Sequence, residues 1–192
     1  MNPAQRAKAM LADPFAEWAR IERESGDPAF LLSRYVAILA LVPALFGFIG
    51  ACFVGVVVPD AGLMHATWFD AGFGAIILYV ESFIAVLVLA FIIDIVAPLF
   101  GGTKDFDAAL KLAVYSFTPV WLVGIFLLMP GLRFLLLTGF YSVHVLATGL
   151  PRLMKARKAQ SPLYITIATA CAFGLVVGGV IAQRAIFPAS GI

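Results

Sequence analysis

Three polar side chains stand inside long apolar runs, where they could carry chemistry: Glu81, Asp94 and His144. An ionised carboxylate such as that of Glu81, about eight residues into its run, costs at least a few kcal/mol in hydrocarbon unless it is paired, protonated or hydrated. Glu81 is therefore a candidate functional residue, and His144, which changes charge near neutral pH, could form a proton relay with it. A structural hydrogen bond to a neighbouring helix is the simpler interpretation of both side chains.

Asp94 does not share a helix face with Glu81, because thirteen residues separate them, which is about 220° around an α-helix. We expect Asp94 to be an interfacial acid at the end of its helix, near Lys104 or Lys111. The sequence contains no HExxH, GxSxG or phosphate-binding GxxxxGK[ST] motif and no paired cysteines. It therefore predicts no enzyme, no metal site and no cofactor.

The composition predicts that the surroundings of these residues are partly lipid. Of the 192 residues, 62% are hydrophobic and 12% are charged, and the mean hydropathy is +1.02. So few polar residues cannot cover the surface of a water-soluble globule. The net charge of +2 is spread over short loops without a basic stripe, so no nucleic-acid partner is expected. The composition thus predicts an integral membrane protein.

The apolar runs predict an all-α, polytopic membrane protein that contains a bundle of five transmembrane helices. Each run is about 19 to 25 residues long, which at 1.5 Å per residue crosses a hydrocarbon core of about 30 Å. The predicted spans are residues 35–58, 73–97, 110–129, 132–150 and 164–186. A cytoplasmic arm, 1–34, precedes this transmembrane domain, 35–187, and a short external tail, 188–192, follows it.

The basic residues predict the orientation, because lysine and arginine in short loops are retained in the cytoplasm. With the N-terminus in the cytoplasm, eleven of the thirteen basic residues lie inside, and only Arg133 and Arg184 lie outside. The loop between the first two spans carries Asp60, His65 and Asp70 but no lysine or arginine, as expected of a translocated loop. Five spans then place the C-terminus outside.

The arm contains a short amphipathic helix. Phe15, Trp18 and Ile21 recur every third residue after Asp13-Pro14, which is a helix-start signal, and they form one apolar face. That face could lie on the membrane surface. It could equally pack against the cytoplasmic ends of the spans, and the sequence favours neither arrangement.

One proline and several small residues predict how the spans are shaped and packed. Pro119 removes a helical hydrogen bond and clashes with the carbonyl of Tyr115, so the third span should kink there, beside Ser116. Small residues at four-residue spacing permit close helix approach, either within one bundle or between protomers. They are Gly47, Ala51 and Gly55 in the first span and Gly174 and Gly178 in the fifth.

Several segments resemble the Yip family of Rab-GTPase-interacting membrane proteins. The strongest match surrounds the third span, where Gly101-Gly102 precedes Asp105-Phe106 and then the segment Ala113-Val114-Tyr115-Ser116-Phe117-Thr118-Pro119. Eukaryotic members carry a Tyr-Gly-Tyr-Ser motif followed by proline. Tyr115, Ser116 and Pro119 match the second half of that motif, and Val114 replaces its glycine. The likeness to bacterial members is closer, and it extends from Pro14 and Trp18 through residues 139–142 to 149–151.

The resemblance implies a five-helix bundle with a cytoplasmic N-terminus in a bacterial inner membrane. Eukaryotic relatives act in vesicle trafficking and bind prenylated Rab GTPases and one another. Their Asp-Leu-Tyr-Gly-Pro-type segment in the N-terminal arm has no counterpart in this sequence. Rab-type GTPase binding is therefore not expected of this chain.

Two functions of different classes are compatible with the sequence. The first is a non-enzymatic membrane organiser, trafficking-like protein or adaptor, which binds the lipid bilayer, other membrane proteins or a second copy of itself. The second is a small channel or transporter in which Glu81, His144 and the kink at 115–119 line a pathway for protons or an ion. Few embedded polar groups and no inverted repeat favour the adaptor.

Overall fold

The computed structural model describes residues 2–24, 27–58, 62–156 and 161–186, and these are mostly helical. Two short helices form the N-terminal arm: α1, Pro3–Ala12, and α2, Pro14–Ile21. Each begins at a proline that follows a capping side chain, Asn2 for α1 and Asp13 for α2. Five longer helices follow: α3, Pro28–Val54; α4, Trp68–Phe100; α5, Phe106–Leu128; α6, Pro130–Leu153; and α7, Ser161–Ile186.

Four of these helices, α3 to α6, are long and apolar enough to cross a membrane. The described side chains of α7 add a shorter apolar stretch over Pro162–Leu175. The chain is therefore an α-helical polytopic membrane protein, while the use of α7 as the fifth span, 164–186, stays a prediction. The predicted tail, 188–192, lies outside the described residues.

The first span begins earlier than the predicted residue 35. Asp27 accepts a hydrogen bond of 2.9 Å from the Ala29 amide and so caps a helix that starts at Pro28. The prediction started after Arg34 because it followed apolar residues only. A helix needs no apolar side chains in its first turns, so the polar residues Ser33 and Arg34 belong to α3.

The first span also ends earlier than the predicted residue 58. Gly55 adopts a left-handed φ of 90°, which a helix cannot continue through. Three β-branched valines then form strand β1, Val56–Val58, which pairs antiparallel with β2, Gly62–Met64. The helical prediction for 56–58 is therefore wrong, and this hairpin departs from the all-α prediction.

A glycine pair shapes the turn between α4 and α5. α4 is regular to Val96 and then tightens into a 3-10 turn that ends at Gly101, whose φ is 68°. A Cβ at Gly102 would lie 2.6 Å from the carbonyl oxygen of Met154. The Thr103 amide donates to that same carbonyl at 2.9 Å. Gly101 and Gly102 thus hold this turn against the end of α6.

α5 and α6 are both irregular. The α-helix of α5 runs over Phe106–Ser116, is interrupted at Phe117 and resumes over Thr118–Val123, with Pro119 in its first turn. Proline has no amide proton to donate to Tyr115, which explains an interruption at this point. α6 is a 3-10 helix over Pro130–Phe140 and an α-helix over Tyr141–Leu153, three residues beyond the predicted end at 150.

One apolar core joins the arm to the spans. It contains Met10 and Trp18 of the arm together with Leu89 of α4, Leu112 of α5 and Leu150 of α6, each at most 1% exposed. α7 reaches this core through Tyr164, whose hydroxyl donates to the carbonyl of Ile93. The arm is therefore a part of the folded bundle.

The small residues that were predicted to allow close helix approach differ in how closely other residues approach them. Gly47 lies beside Leu127, whose Cδ1 would be 3.7 Å from a Cβ there, and Ala51 is buried against Ala71. Gly55 serves the turn described above and packs against the hairpin, since a Cβ there would lie 2.9 Å from the Met64 carbonyl oxygen, but it makes no helix–helix contact in the described structure. Within the described structure a Cβ at Gly174 or Gly178 would meet nothing within 4 Å, so no close packing of this pair inside the bundle is seen among the described residues. Contact between protomers stays a prediction for it.

Candidate functional site

The apolar face of α2 packs against α6. Trp18 is fully buried, and its indole Nε1 donates a hydrogen bond of 3.0 Å to the carbonyl of Val145. Gly149 makes room for the indole, because a Cβ there would lie 2.8 Å from Trp18 Cζ2. Ile21 is also buried, at 1% exposure. The prediction that this face lies on the membrane surface is therefore wrong for Trp18 and Ile21.

Phe15, the third residue of that predicted face, points away from the core. Its side chain is 61% exposed. The guanidinium of Arg152, at the end of α6, lies 4.4 Å from the centroid of its ring, which is a cation–π distance. The exposed Phe15 and the half-buried Arg152, which also lies 4.0 Å from Glu22, therefore form an aromatic and basic pair beside the buried part of α2.

An ion triad that is buried at Arg6 and Glu17 but exposed at Glu24 ties α1 to the rest of the arm. Arg6 is 5% exposed and Glu17 is 1% exposed, and their side chains form an ion pair. A second ion pair joins Arg6 Nη2 to Glu24 Oε2 at 2.5 Å. The backbone carbonyl of Glu24 in turn accepts a hydrogen bond of 2.6 Å from Lys111 Nζ of α5. The triad of Arg6, Glu17 and Glu24 thus connects the arm to the third span.

The charge of Arg6 is maintained by these partners. Burial by itself lowers the pKa of the guanidinium, but the hydrogen bond with Glu24, the nearby Tyr115 and the two carboxylates raise that pKa overall. Arg6 is therefore a permanent cation in a largely dry place. Loss of Arg6 would leave the buried Glu17 with only the exposed Arg20, at 3.2 Å, as a partner, which is destabilising.

Tyr115 of the motif in α5 lies where the arm meets the spans. Its ring packs edge-on against Tyr35 of α3 at 4.8 Å and against Trp18 at 6.1 Å between centroids. The Arg6 guanidinium lies 5.6 Å from the centroid of the same ring. Tyr35 shares a hydrogen bond of 2.8 Å with the hydroxyl of Thr118, just after the interruption in α5.

We call this set of residues the arm–bundle junction: Arg6, Glu17, Trp18, Glu24, Tyr35, Lys111, Tyr115 and Thr118. A cleft of about 110 Å³ lies within it, lined by both charged and aromatic side chains. The junction contains hydrogen bonds, ion pairs and ring contacts, but the described residues contain no cluster of side chains that could hold a metal ion. The arrangement can fix the arm in one position.

Asp94 lies near the end of α4, as predicted for an interfacial acid, but it is buried and does not bond to Lys111 in the described structure. It is buried at 6% exposure, and its Oδ1 has no hydrogen-bond partner among the described residues. Lys111, one of the two predicted partners, bonds instead to the Glu24 carbonyl, and no ion pair joins Asp94 to Lys104 in the part of the chain that the structure describes. Tertiary packing of α4 against α7 takes Asp94 out of reach of solvent.

Glu81 and His144 are not joined by a hydrogen bond or ion pair in the described structure. Glu81 is half-buried on α4. His144 is exposed on α6, and its ring lies 5.4 Å from that of Tyr141. Neither residue lines the large cavity between the helices, whereas Ser116 of the motif does. The proton relay predicted from these two residues therefore has no shared site in this structure.

Sequence reasoning missed Arg6, Glu17 and Tyr35. Arg6 and Glu17 are 11 residues apart and meet only because α1 folds back on α2. Tyr35 and Thr118 are 83 residues apart. The sequence offers one signal for the contact between α1 and α2. Arg6 and Glu17 lie on the buried sides of two short helices, each of which begins at a proline.

Comparison with known proteins identifies relatives over most of the chain. A family model described as "Yip1 domain" matches residues 8–181. The chain is 24% identical over 155 residues to "Inner membrane protein YohC" of Escherichia coli strain K12, an alignment that covers 79% of this chain and 80% of the relative. The protein of the same name from Escherichia coli O6:H1 strain CFT073 matches equally. No solved structure matches this chain.

Proposed function

Because this chain belongs to the Yip1 domain family, we propose that it is a non-enzymatic membrane-organising or adaptor protein of the bacterial inner membrane. The family match and the four apolar helices make it an integral membrane protein. The inner-membrane location rests on the relatives named as inner membrane proteins. The adaptor role rests on the arm–bundle junction.

The junction supports an adaptor because it gives the arm a fixed shape. Trp18 and the ion triad hold the arm against the spans. Phe15, which contacts Arg152 of α6, and Arg23 stay exposed, and we call these two residues the free side of the arm. An aromatic ring and a cation on a rigid support match the composition of protein-binding surfaces. The partner is another membrane-associated protein or a second copy of this chain.

The proposal includes five spans, with the N-terminus in the cytoplasm and the C-terminus outside. α7, Ser161–Ile186, is 26 residues long and covers the fifth predicted span. The distribution of lysine and arginine supports the orientation. Reporters fused before residue 1 and after residue 192 test both points, since five spans place the two ends on opposite sides of the membrane and four spans place them on the same side.

Photocrosslinking in cells tests the adaptor role. A photoreactive amino acid at position 15, in an arm that is otherwise wild-type, should crosslink to the same partner in each repeat of the experiment. Arg23→Glu should strongly reduce capture, because it reverses a charge on the free side of the arm. Lys104→Glu is the matched control, since Lys104 is also an exposed basic residue but lies in the α4–α5 turn. Equal capture by both variants would contradict a binding surface on the arm.

Flux measurements address transport. We expect proton flux into liposomes that contain this protein to equal that of empty liposomes, and Glu81→Gln to change nothing. A robust flux that Glu81→Gln abolishes would overturn the adaptor in favour of the channel.

A further inference from the structure

A cavity of about 330 Å³ lies between α4, α5, α6 and α7, with Pro43 of α3 in its wall, and it opens to the outside of the bundle beside the exposed rings of Phe140 and Phe173. Its wall is almost entirely apolar. Leu89, Phe117, Leu127, Phe140, Leu146 and Phe173 are representative of its lining. Small-molecule sites in proteins occupy about 300–1,000 Å³ and are likewise mostly apolar with a few placed polar groups. The volume therefore suits a compact ligand.

Two hydroxyl groups at this cavity have no hydrogen-bond partner. Ser116 Oγ and Thr169 Oγ1 are both buried and unpaired in the part of the chain that the structure describes, and both residues line the cavity. Ser116 is only 3% exposed. Unpaired buried hydroxyls are unfavourable, because they have lost water without gaining another partner.

Hydroxyls elsewhere in α4 and α7 behave differently. Ser82 donates to the carbonyl of Leu78 at 2.9 Å, and Thr166 donates to that of Pro162 at 2.9 Å. Such bonds to the preceding turn are the usual solution for serine and threonine in helices. Ser116 and Thr169 lack them and face one cavity, which indicates that their hydrogen bonds are completed by something bound there.

The depth of the two hydroxyls in the membrane restricts the chemical class of ligand that this cavity can bind. Ser116 lies ten residues after the start of α5 and Thr169 eight residues after the start of α7, which is about 12–15 Å from the helix ends and near the middle of a hydrocarbon core of about 30 Å. A charged headgroup is costly at that depth, and no acidic or basic side chain lines the cavity. The ligand is therefore neutral, apolar and equipped with oxygen acceptors.

We propose that this cavity binds a neutral quinone-class molecule dissolved in the membrane, whose carbonyl oxygens accept hydrogen bonds from Ser116 and Thr169. Two carbonyl acceptors match two hydroxyl donors. A flat ring suits a wall that contains Phe140 and Phe173, whose own rings are stacked at 6.3 Å. The proposal concerns binding alone and does not depend on the adaptor role.

Binding of decylubiquinone to the full-length protein tests the proposal. The protein is reconstituted into quinone-free phosphatidylcholine nanodiscs, and the dissociation constant is measured against empty nanodiscs. Ser116→Ala and Thr169→Val should each weaken binding by about 3- to 10-fold, as expected for a lost hydrogen bond. Ser82→Ala and Thr166→Val are the matched controls, because they remove hydroxyls that bond within their helix and do not line the cavity.

Two further measurements keep the test decisive. Ala172→Phe places a large ring in the cavity wall and should abolish binding, which provides an independent result if Ser116→Ala fails to fold. Decylbenzene, which lacks carbonyl oxygens, should compete at least tenfold less well. The proposal is overturned if wild-type nanodiscs retain no more quinone than empty ones, if decylbenzene competes equally, or if the four hydroxyl variants behave alike.

Discussion

Replacement of Gly149 by alanine should release the N-terminal arm from the bundle. The added Cβ would lie 2.8 Å from Trp18 Cζ2 and 2.7 Å from Leu112 Cδ1. Both neighbours are buried, with exposures of 0%, and Trp18 is also held by its hydrogen bond to Val145. Neither side chain can move freely, so the contact between α2 and α6 must open.

The expected change in the free energy of docking the arm is the difference between the cost of overpacking and the gain in helix propensity. Overpacking a buried position costs about 1–3 kcal/mol, and two close contacts with packed side chains favour the upper end. Alanine improves helix propensity over glycine by about 1 kcal/mol. The net cost is therefore about 2 kcal/mol, which corresponds to an increase of about 30-fold in the open fraction of the arm.

Hydrogen exchange in nanodiscs measures this opening. The amides of α2, Pro14–Ile21, should lose protection in Gly149→Ala by about the calculated factor. Gly174→Ala is the control, because it makes the same change within a helix at a position where a Cβ meets no described atom within 4 Å.

A double mutant distinguishes the clash between the new Cβ at position 149 and Trp18 from other effects of Gly149→Ala. Trp18→Phe removes Cζ2 and should therefore reduce the additional cost of Gly149→Ala. If α2 keeps its wild-type protection in Gly149→Ala, or if the cost is unchanged in the Trp18→Phe background, the arm does not dock through this contact.

Three other substitutions test the junction and the turn. Arg6→Ala should destabilise the protein by about 3 kcal/mol, because it leaves the buried Glu17 with only the exposed Arg20, at 3.2 Å, as a partner, whereas Arg23→Ala, at an exposed arginine that forms no ion pair among the described residues, should cost less than about 1 kcal/mol; thermal unfolding in detergent compares them, and equal midpoints would refute the ion triad. Tyr35→Phe removes a buried hydrogen bond and should cost about 1–3 kcal/mol in the same assay. Gly102→Ala should raise hydrogen exchange at the Thr103 amide, since its Cβ displaces the Met154 carbonyl; unchanged exchange would show that the turn can relax.

The positions of the spans could be predicted because a hydrocarbon core demands long apolar helices. Four of the five predicted runs fall on helices that can cross a membrane. The ends were less predictable. Gly55 and the valines after it are apolar and could have continued the first span, and only the left-handed φ shows that the helix stops. Hydrophobicity indicates whether a segment lies in lipid or in water, but it does not indicate the backbone conformation of that segment.

The candidate site was much less accessible to sequence reasoning. Trp18 was correctly placed on the apolar face of a helix, but its contact with Val145 joins residues 127 positions apart. Periodicity identifies which face of α2 is apolar and cannot tell whether lipid or protein covers it. The same limit applies to Asp94, whose burial depends on the packing of other helices against α4.

The length of α4 has a consequence for the surrounding lipid. With 33 residues, Trp68–Phe100, it is about 50 Å long, whereas the hydrocarbon core measures about 30 Å. Both ends are apolar and exposed, since Phe69 is 77% and Leu99 is 75% accessible. α4 must therefore tilt, thicken the bilayer around it or project its ends, which include Asp70, beyond the core, and any hydrophobic mismatch costs a fraction of a kcal/mol per Å. A thicker membrane lowers that cost, so the protein should concentrate where the bilayer is thickest.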